Sequence, residues 1–285
     1  MKKQKRSENT YQKINTLWYR DENNIIMPYD DFVQPEFEYL RKCLWEVTEK
    51  IDGTNMRIEV TQTPVYEEFL EGAYKGVKFT VEIKGKTDNA NIPKHLYEKI
   101  NNTYKDRVLS ALGLADFVPI SEWAEHKWYV SSEDPTPDYS KIPARYTIYG
   151  EGYGVKIQKS GGNYIKNGTD MIMFDVKVTT QTGKDIWLTS ESVKDIADKM
   201  EMKTVPFLGF MTIDEAIEFV RKGFKSVISE NKDFLAEGVV IKTPYGMLDR
   251  MGRRLIAKIK TQDFVKYRNM YGTDEKVEQK RNEYI

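Results

Sequence analysis

Apolar and polar residues alternate with a period of two in several stretches of the chain. Met56, Ile58 and Val60 are separated by polar residues, and Val77, Phe79, Val81 and Ile83 repeat the pattern. Both stretches predict half-buried strands, which bury every second side chain. Further strands are predicted for Trp45 to Glu49 running into Lys50, around Tyr146 and Ile148, and over 171–178, 185–188, 237–242 and 254–260. Two segments change to the helical period instead. Val193, Ile196, Ala197 and Met200 form one stripe. Thr212 and Glu215 make a capping box ahead of Ile213, Ala216, Ile217 and Val220, with Gly223 as the stop. Residues 1–10 are polar and basic, 11–39 carry scattered aromatics, and 131–143 (SSEDPTPDYSKIP) read as a loop or insertion. The sum is a strand-rich α+β chain with helices packed outside antiparallel sheets.

Composition narrows the function classes. The chain has 285 residues, which suggests roughly two domains or one large one. Its 44 basic and 44 acidic residues cancel, so bulk positive charge is not how it would hold nucleic acid, although a local patch could. One cysteine, Cys43, and two distant histidines, His95 and His126, offer no cysteine- or histidine-based metal cluster. No apolar run approaches the ~20 residues of a membrane helix, and no apolar segment follows the basic N-terminus as a secretory signal would require. The compartment read from this is intracellular and cytoplasmic (host cytoplasm if viral).

The sharpest local signal is EKIDGTN at 49–55, with Lys50, Asp52, Gly53 and Asn55 in one short window at a strand end. Four specified residues would coincide by chance in about one sequence in 600. Alone, the segment also reads as an ordinary Asp-Gly hairpin turn. Downstream, in order, come GKTDNANIP (85–93), YGEGYGVKIQ (149–158), FDV (174–176), EGVVIK (237–242) and AKIK (257–260). Together these six motifs resemble the covalent nucleotidyltransferase superfamily of ATP-dependent ligases and capping enzymes. They are most similar to the bacteriophage RNA ligase 2-like branch, which also places a glutamate before the lysine. The resemblance spans about Trp45 to Lys260 and implies an ATP-grasp-like ligase adenylation domain over 41–262. It leaves 1–40 as a lead-in and 263–285 as a short tail. The 25 residues after Lys260 leave no room for an OB-fold or a large helical domain.

The resemblance assigns roles residue by residue. Lys50 would attack the α-phosphate of ATP and hold AMP as a phosphoramidate. A free lysine is only ~0.1% neutral near pH 7.4, so its surroundings would have to favour the neutral amine. Glu49 could not help if its carboxylate faced Lys50. Lys258 and Lys260, two apart on a strand, share a face, with Leu255, Ala257 and Ile259 on the other. The two lysines would stabilise charge on the leaving pyrophosphate. Glu237 would hold Mg²⁺ or Mn²⁺, and Lys242 would touch phosphate, although a regular strand points it away from Glu237. Glu151 would bind the ribose, Phe174 would stack on adenine, and Glu49, Asp52 and Asn55 would lie near the adenylate. Lys86 stands where relatives usually carry arginine, losing the two-pronged grip on phosphate. Arg250, Arg253 and Arg254 are candidates for contacts to strand phosphates.

The activity implied is ATP-dependent joining of 5′-phosphate and 3′-hydroxyl RNA ends. A minimal DNA ligase and a non-catalytic nucleic-acid-end binding module are the alternatives, with a protein-modifying AMP transferase as a minor one. The partners are nucleic acid ends, RNA preferred over DNA, and no membrane. Nothing in the sequence identifies the oligomeric state or a reader of the 2′-hydroxyl.

Overall fold

The computed structural model describes residues 9–28, 32–69, 72–114 and 142–272, without the side chains of 64–69 and 72–76. Most of the proline-bearing stretch 131–143 lies outside the described residues, as does the tail beyond 272. The chain forms two compact units. Among the described residues, the first takes those of 9–11, 53–161 and 167–204, and the second those of 12–52, 162–166 and 205–272.

The first unit is built on a five-stranded antiparallel sheet. Its strands are β3 (Thr54–Phe69), β4 (Gly72–Gly85), β5 (Arg145–Gly154), β6 (Thr169–Thr179) and β7 (Asp185–Trp187), in the order β4-β3-β5-β6-β7. Met56, Ile58 and Val60 turn to the buried side with Val77, Phe79 and Ile148, as their alternation requires. Two helices cover that side: α2 (Lys94–Ala111) and α4 (Ser190–Lys199). Helix α2 follows Pro93 and has no side-chain cap. It is anchored by a stripe of one residue per turn, Leu96, Ile100, Tyr104, Val108 and Ala111. The other side of the sheet is unusually polar for a buried surface. Arg57 is fully buried there; its Nε donates to Glu59 at 2.5 Å, and its guanidinium also reaches Gly85 O at 2.5 Å and Asp88. Asn9 and Tyr11 close part of this side. Tyr11 Oη donates to Asp175 at 2.7 Å, and Tyr149 Oη donates to the Asn9 carbonyl at 2.9 Å. The end of the basic opening is therefore tied down.

In the second unit, β1 (Asn15–Thr16), β2 (Trp45–Lys50), β8 (Phe207–Met211), β9 (Gly238–Lys242) and β10 (Ile256–Lys260) form a sheet in the order β1-β10-β9-β2-β8. Only the β1–β10 pair is parallel. Helices α1 (Pro35–Tyr39), α5 (Ile213–Lys222) and α6 (Thr261–Tyr271) supply buried side chains to its core, and a short α3 (Gly161–Tyr164) bridges the chain between the units. Helix α5 begins with the expected capping box: Glu215 Oε2 accepts from the Thr212 amide at 2.8 Å, and Thr212 Oγ1 accepts from the Glu215 amide. Leu17, Trp18, Ile26, Phe32 and Phe37 pack into the same core as Val47 and Ile241, and Phe264 and Tyr267 of α6 join them. Tyr19 and Tyr39 of the stretch before β2 stay exposed.

Ile100 is fully buried at the centre of the α2 stripe. Its truncation to alanine leaves a cavity and is expected to lower unfolding free energy by about 2–5 kcal/mol in urea titrations. A loss below about 1 kcal/mol would mean that the stripe is not what holds α2.

Candidate active site

Three neighbouring strands of the second unit place the lysines. In the paired register Lys50 of β2 stands beside Gly238 of β9, which stands beside Lys260 of β10. The next row is Thr48, Val240 and Lys258. Alternation puts Lys50, Lys258 and Lys260 on one face, while Val47, Val239, Ala257 and Ile259 fill the core on the other. Glu237 immediately precedes β9. Its Oε2 accepts from Lys50 Nζ at 2.6 Å and its Oε1 from Lys260 Nζ at 2.6 Å.

This contact is possible because of one backbone angle. In a regular strand Glu237 would share the core-facing side with Val239. Gly238 has φ +149°, a conformation L side chains rarely adopt. The break in alternation swings Glu237 to the lysine face. A Cβ on residue 238 would also lie 2.0 Å from the Ile259 carbonyl oxygen.

Lys258 is half-buried, and its pKa is pushed down. Burial is the main cause, followed by the charges of Lys260 and Lys50; Glu237 opposes the shift and Arg20 adds to it. The face therefore carries crowded positive charge even though the whole chain is neutral. Glu49 is on the other side of the strand from Lys50 and is 1% exposed. Its Oε2 accepts from the Val227 amide at 2.8 Å, and its Oε1 has no hydrogen-bond partner. Burial raises its pKa, against the lowering effects of Ser226 and the Val227 amide. The carboxylate next to the lysine in sequence thus stays away from it in space.

Other sequence-derived candidates fall elsewhere. Lys242 lies on the lysine face but two rows from Glu237, and pairs with Glu46 at 3.6 Å. Asp52 follows β2, and its amide donates to Tyr164 Oη at 3.2 Å. Tyr164 is fully buried, packs edge-on against Phe234 at 5.1 Å, and has its pKa raised chiefly by burial. It fixes the turn after the lysine, yet nothing in GGNY marks it locally. In the first unit, Asn55 and Glu151 are paired across β3 and β5, which puts them on one face. Phe174 is half-buried and meets Tyr11 edge-on at 5.0 Å. Lys86 is exposed in the turn after β4, the turn that Arg57 grips through Gly85 and Asp88. Arg254 is buried and Arg253 is tied to Asp249 at 2.7 Å, so Arg250 is the least committed of the three arginines.

Among the described residues no group of three or more His, Cys, Asp or Glu side chains could hold a metal. Glu237 nevertheless suits a hard cation that keeps most of its waters, since one carboxylate then suffices. Both of its oxygens already face ammonium groups, so a cation there would take the place of one of them.

Two outcomes test this geometry. Gly238→Ala is expected to destabilise the second unit and to displace Glu237, visible as a lower urea midpoint together with loss of any Lys50 adduct; a variant unchanged in both sinks the argument. The second concerns pH. A lysine with a depressed folded pKa is charged at a cost, so stability rises with pH from that folded value up to the ordinary 10.5. Lys258→Met removes the cost. Its urea midpoint is expected to exceed the parent's at pH 7, with the gap closing as pH approaches 10.5. An equal or lower midpoint at pH 7 contradicts the crowding.

Comparison with known proteins agrees with this architecture. A solved Naegleria gruberi RNA ligase mutant with ATP and Mn superposes with a TM-score of 0.50 at 15% identity, covering 82% of this chain and 54% of that one. A second mutant of that ligase, also with ATP and Mn, gives 0.50 at 15% identity, covering 92% and 63%. The chain thus spans just over half to under two thirds of those structures, and the likeness is one of fold. No curated protein sequence matches. Among the described residues no helix is long and apolar enough to cross a membrane. The RNA ligase family model matches residues 44–260, and with three quarters of its length inside that match the chain belongs to the RNA ligase family of the nucleotidyltransferase superfamily.

Proposed function

We propose that the protein is an ATP-dependent RNA ligase working through a covalent lysyl-AMP. The observation that carries this reading is Glu237 held between Lys50 and Lys260 at 2.6 Å each on adjacent strands. Family membership supplies the chemical context, and the glutamate before Lys50 favours the phage-type branch.

Lys50 Nζ, having given up one proton to solvent to become the neutral amine, attacks the α-phosphorus of ATP and releases a second proton as the phosphoramidate forms. A nitrogen–phosphorus bond forms, the bond to the bridging oxygen breaks, and pyrophosphate leaves. Contact with Glu237 keeps Nζ in place beforehand, and Lys258 and Lys260 receive the negative charge that grows on the leaving group. Glu237 would hold Mg²⁺ or Mn²⁺, which supplies positive charge against the phosphate oxygens when bound. Asp52 and Asn55 serve the adenylate, while Glu49, buried on the other side of β2 against the Val227 amide, acts only through the strand it anchors. Glu151 accepts from the ribose, Phe174 stacks on adenine, and Lys242 and Lys86 bind phosphate. AMP then passes to a 5′-phosphate end, and a 3′-hydroxyl attacks that end to release AMP. Residues 41–262 carry this machinery, with the packed flanks 12–40 and 263–272 bracing it. RNA ends in the cytoplasm are the substrate in this reading.

The intact mass of nucleotide-free protein after incubation with ATP and Mg²⁺ decides it. A gain of one adenylyl group is expected, lost on adding pyrophosphate and absent in Lys50→Ala. Silence with ATP, GTP and NAD alike would make a non-catalytic end-binding module the better reading. All-DNA nicks sealed as fast as RNA-containing ones would point to a DNA ligase.

A further inference from the structure

Strand β8 forms one edge of the second unit's sheet and exposes two large aromatic side chains, Phe207 at 57% and Phe210 at 54%. Residues three apart on a regular strand face opposite sides. Here Phe210 is paired with Glu46 and Phe207 with Thr48, because the register slips by one residue between them. The extra residue, Leu208, packs toward the core, and Gly209 takes φ +122° with nothing within 4 Å of where a Cβ would sit. The positive φ, and not lack of space, is what calls for glycine. The bulge puts both rings on the face of Glu46, Thr48 and Lys50, edge to face with centroids 5.2 Å apart.

That face is cationic. It carries Lys50, Lys242, Lys258 and Lys260 against the two carboxylates of Glu46 and Glu237. Phe207, Thr48, Val240 and Lys258 form one row across four strands, each step about 4.8 Å. Paired exposed rings within a few strand spacings of an unbalanced lysine cluster suit a ligand with flat apolar faces and a repeating negative charge. An unpaired nucleic acid strand is such a ligand, its bases stacking on aromatic rings while its phosphates meet lysines. A second copy or an apolar peptide would cover the rings without using the charge.

We propose that Phe207 and Phe210 form a stacking platform for an unpaired base of the strand end being joined. This rests on the ligase reading for its place in the reaction, but the platform can be tested apart from it. Anisotropy of a fluorescein-labelled, 5′-phosphorylated single-stranded RNA, measured with Lys50→Ala protein, reads binding with no chemistry. Adding Phe207→Ala and Phe210→Ala to that background is expected to weaken binding about tenfold or more, and tryptophan at both positions to restore it. Because both rings are exposed, the fold should survive, and Phe210→Ala alone gives the same test if the double variant does not fold. Unchanged binding in the alanine variants overturns the proposal, as does no binding by the Lys50→Ala parent. Rescue by leucine as complete as that by tryptophan also overturns it. A drop in sedimentation coefficient with RNA binding intact would make the patch a self-contact, and so would exclude the platform. Firm RNA binding that depends on the rings, in a wild type that never forms an AMP adduct, would sink the ligase reading and leave the platform standing.

Discussion

Glu237 accepts from Lys50 and Lys260 on the two strands that flank its own, and the rest of the second unit is arranged so that it can. Its side chain reaches the lysine face only because Gly238 departs from strand geometry. Had the alternation continued, a carboxylate would point into a core of Val47, Val239 and Ile241, where an unpaired charge is very costly. One carboxylate between two ammonium groups leaves positive charge over, and Lys258 in the next row adds to it. The pKa of Lys258 is depressed first by burial and then by the charges of Lys260 and Lys50. Such an arrangement weakens the empty fold and is relieved by an anion, the usual relation between stability and a binding site.

Much of the fold could be read locally because each legible element buries one face. Strands β3, β4 and β10 alternate, α4 carries its stripe, and α5 shows its capping box. What escaped lacks such a mark. Helix α2 starts after Pro93 with no side-chain cap, and its stripe is narrow, one residue per turn set among polar ones. Strand β8 is broken by the bulge that moves Phe207 and Phe210 off the two-residue period. The stretch before β2 folds on itself through isolated bridges such as Trp18 to Phe32 and Arg20 to Ile26, and bridges have no period to detect.

The site divides in the same way. Motif order selected Lys50, Glu237, Lys258 and Lys260, and period-two reasoning put the last two on one face. Partners distant in sequence were not legible. Lys242 finds Glu46, Asp52 is held by Tyr164, and the turn carrying Lys86 is gripped by a buried Arg57 whose own neighbours suggest an ordinary strand. EKIDGTN also crosses from one unit to the other between Asp52 and Gly53. Its tight spacing therefore serves two cores at once, which no single local pattern expresses.

Which ionisable group of β2 stands beside Glu237 comes down to register. Glu49 and Lys50 are neighbours with opposite surroundings, one buried against Val227 and the other beside Glu237. A slip of one residue in β2 would exchange them, since side chains alternate between faces. Lys50 would then enter the apolar side without a partner, and Glu49 would stand against Glu237, carboxylate to carboxylate. Trp45 and Val47, both wholly buried, oppose that slip because it would also expose them. The hydrophobic anchoring of one short strand thereby decides which of two adjacent ionisable groups joins the lysine-rich face.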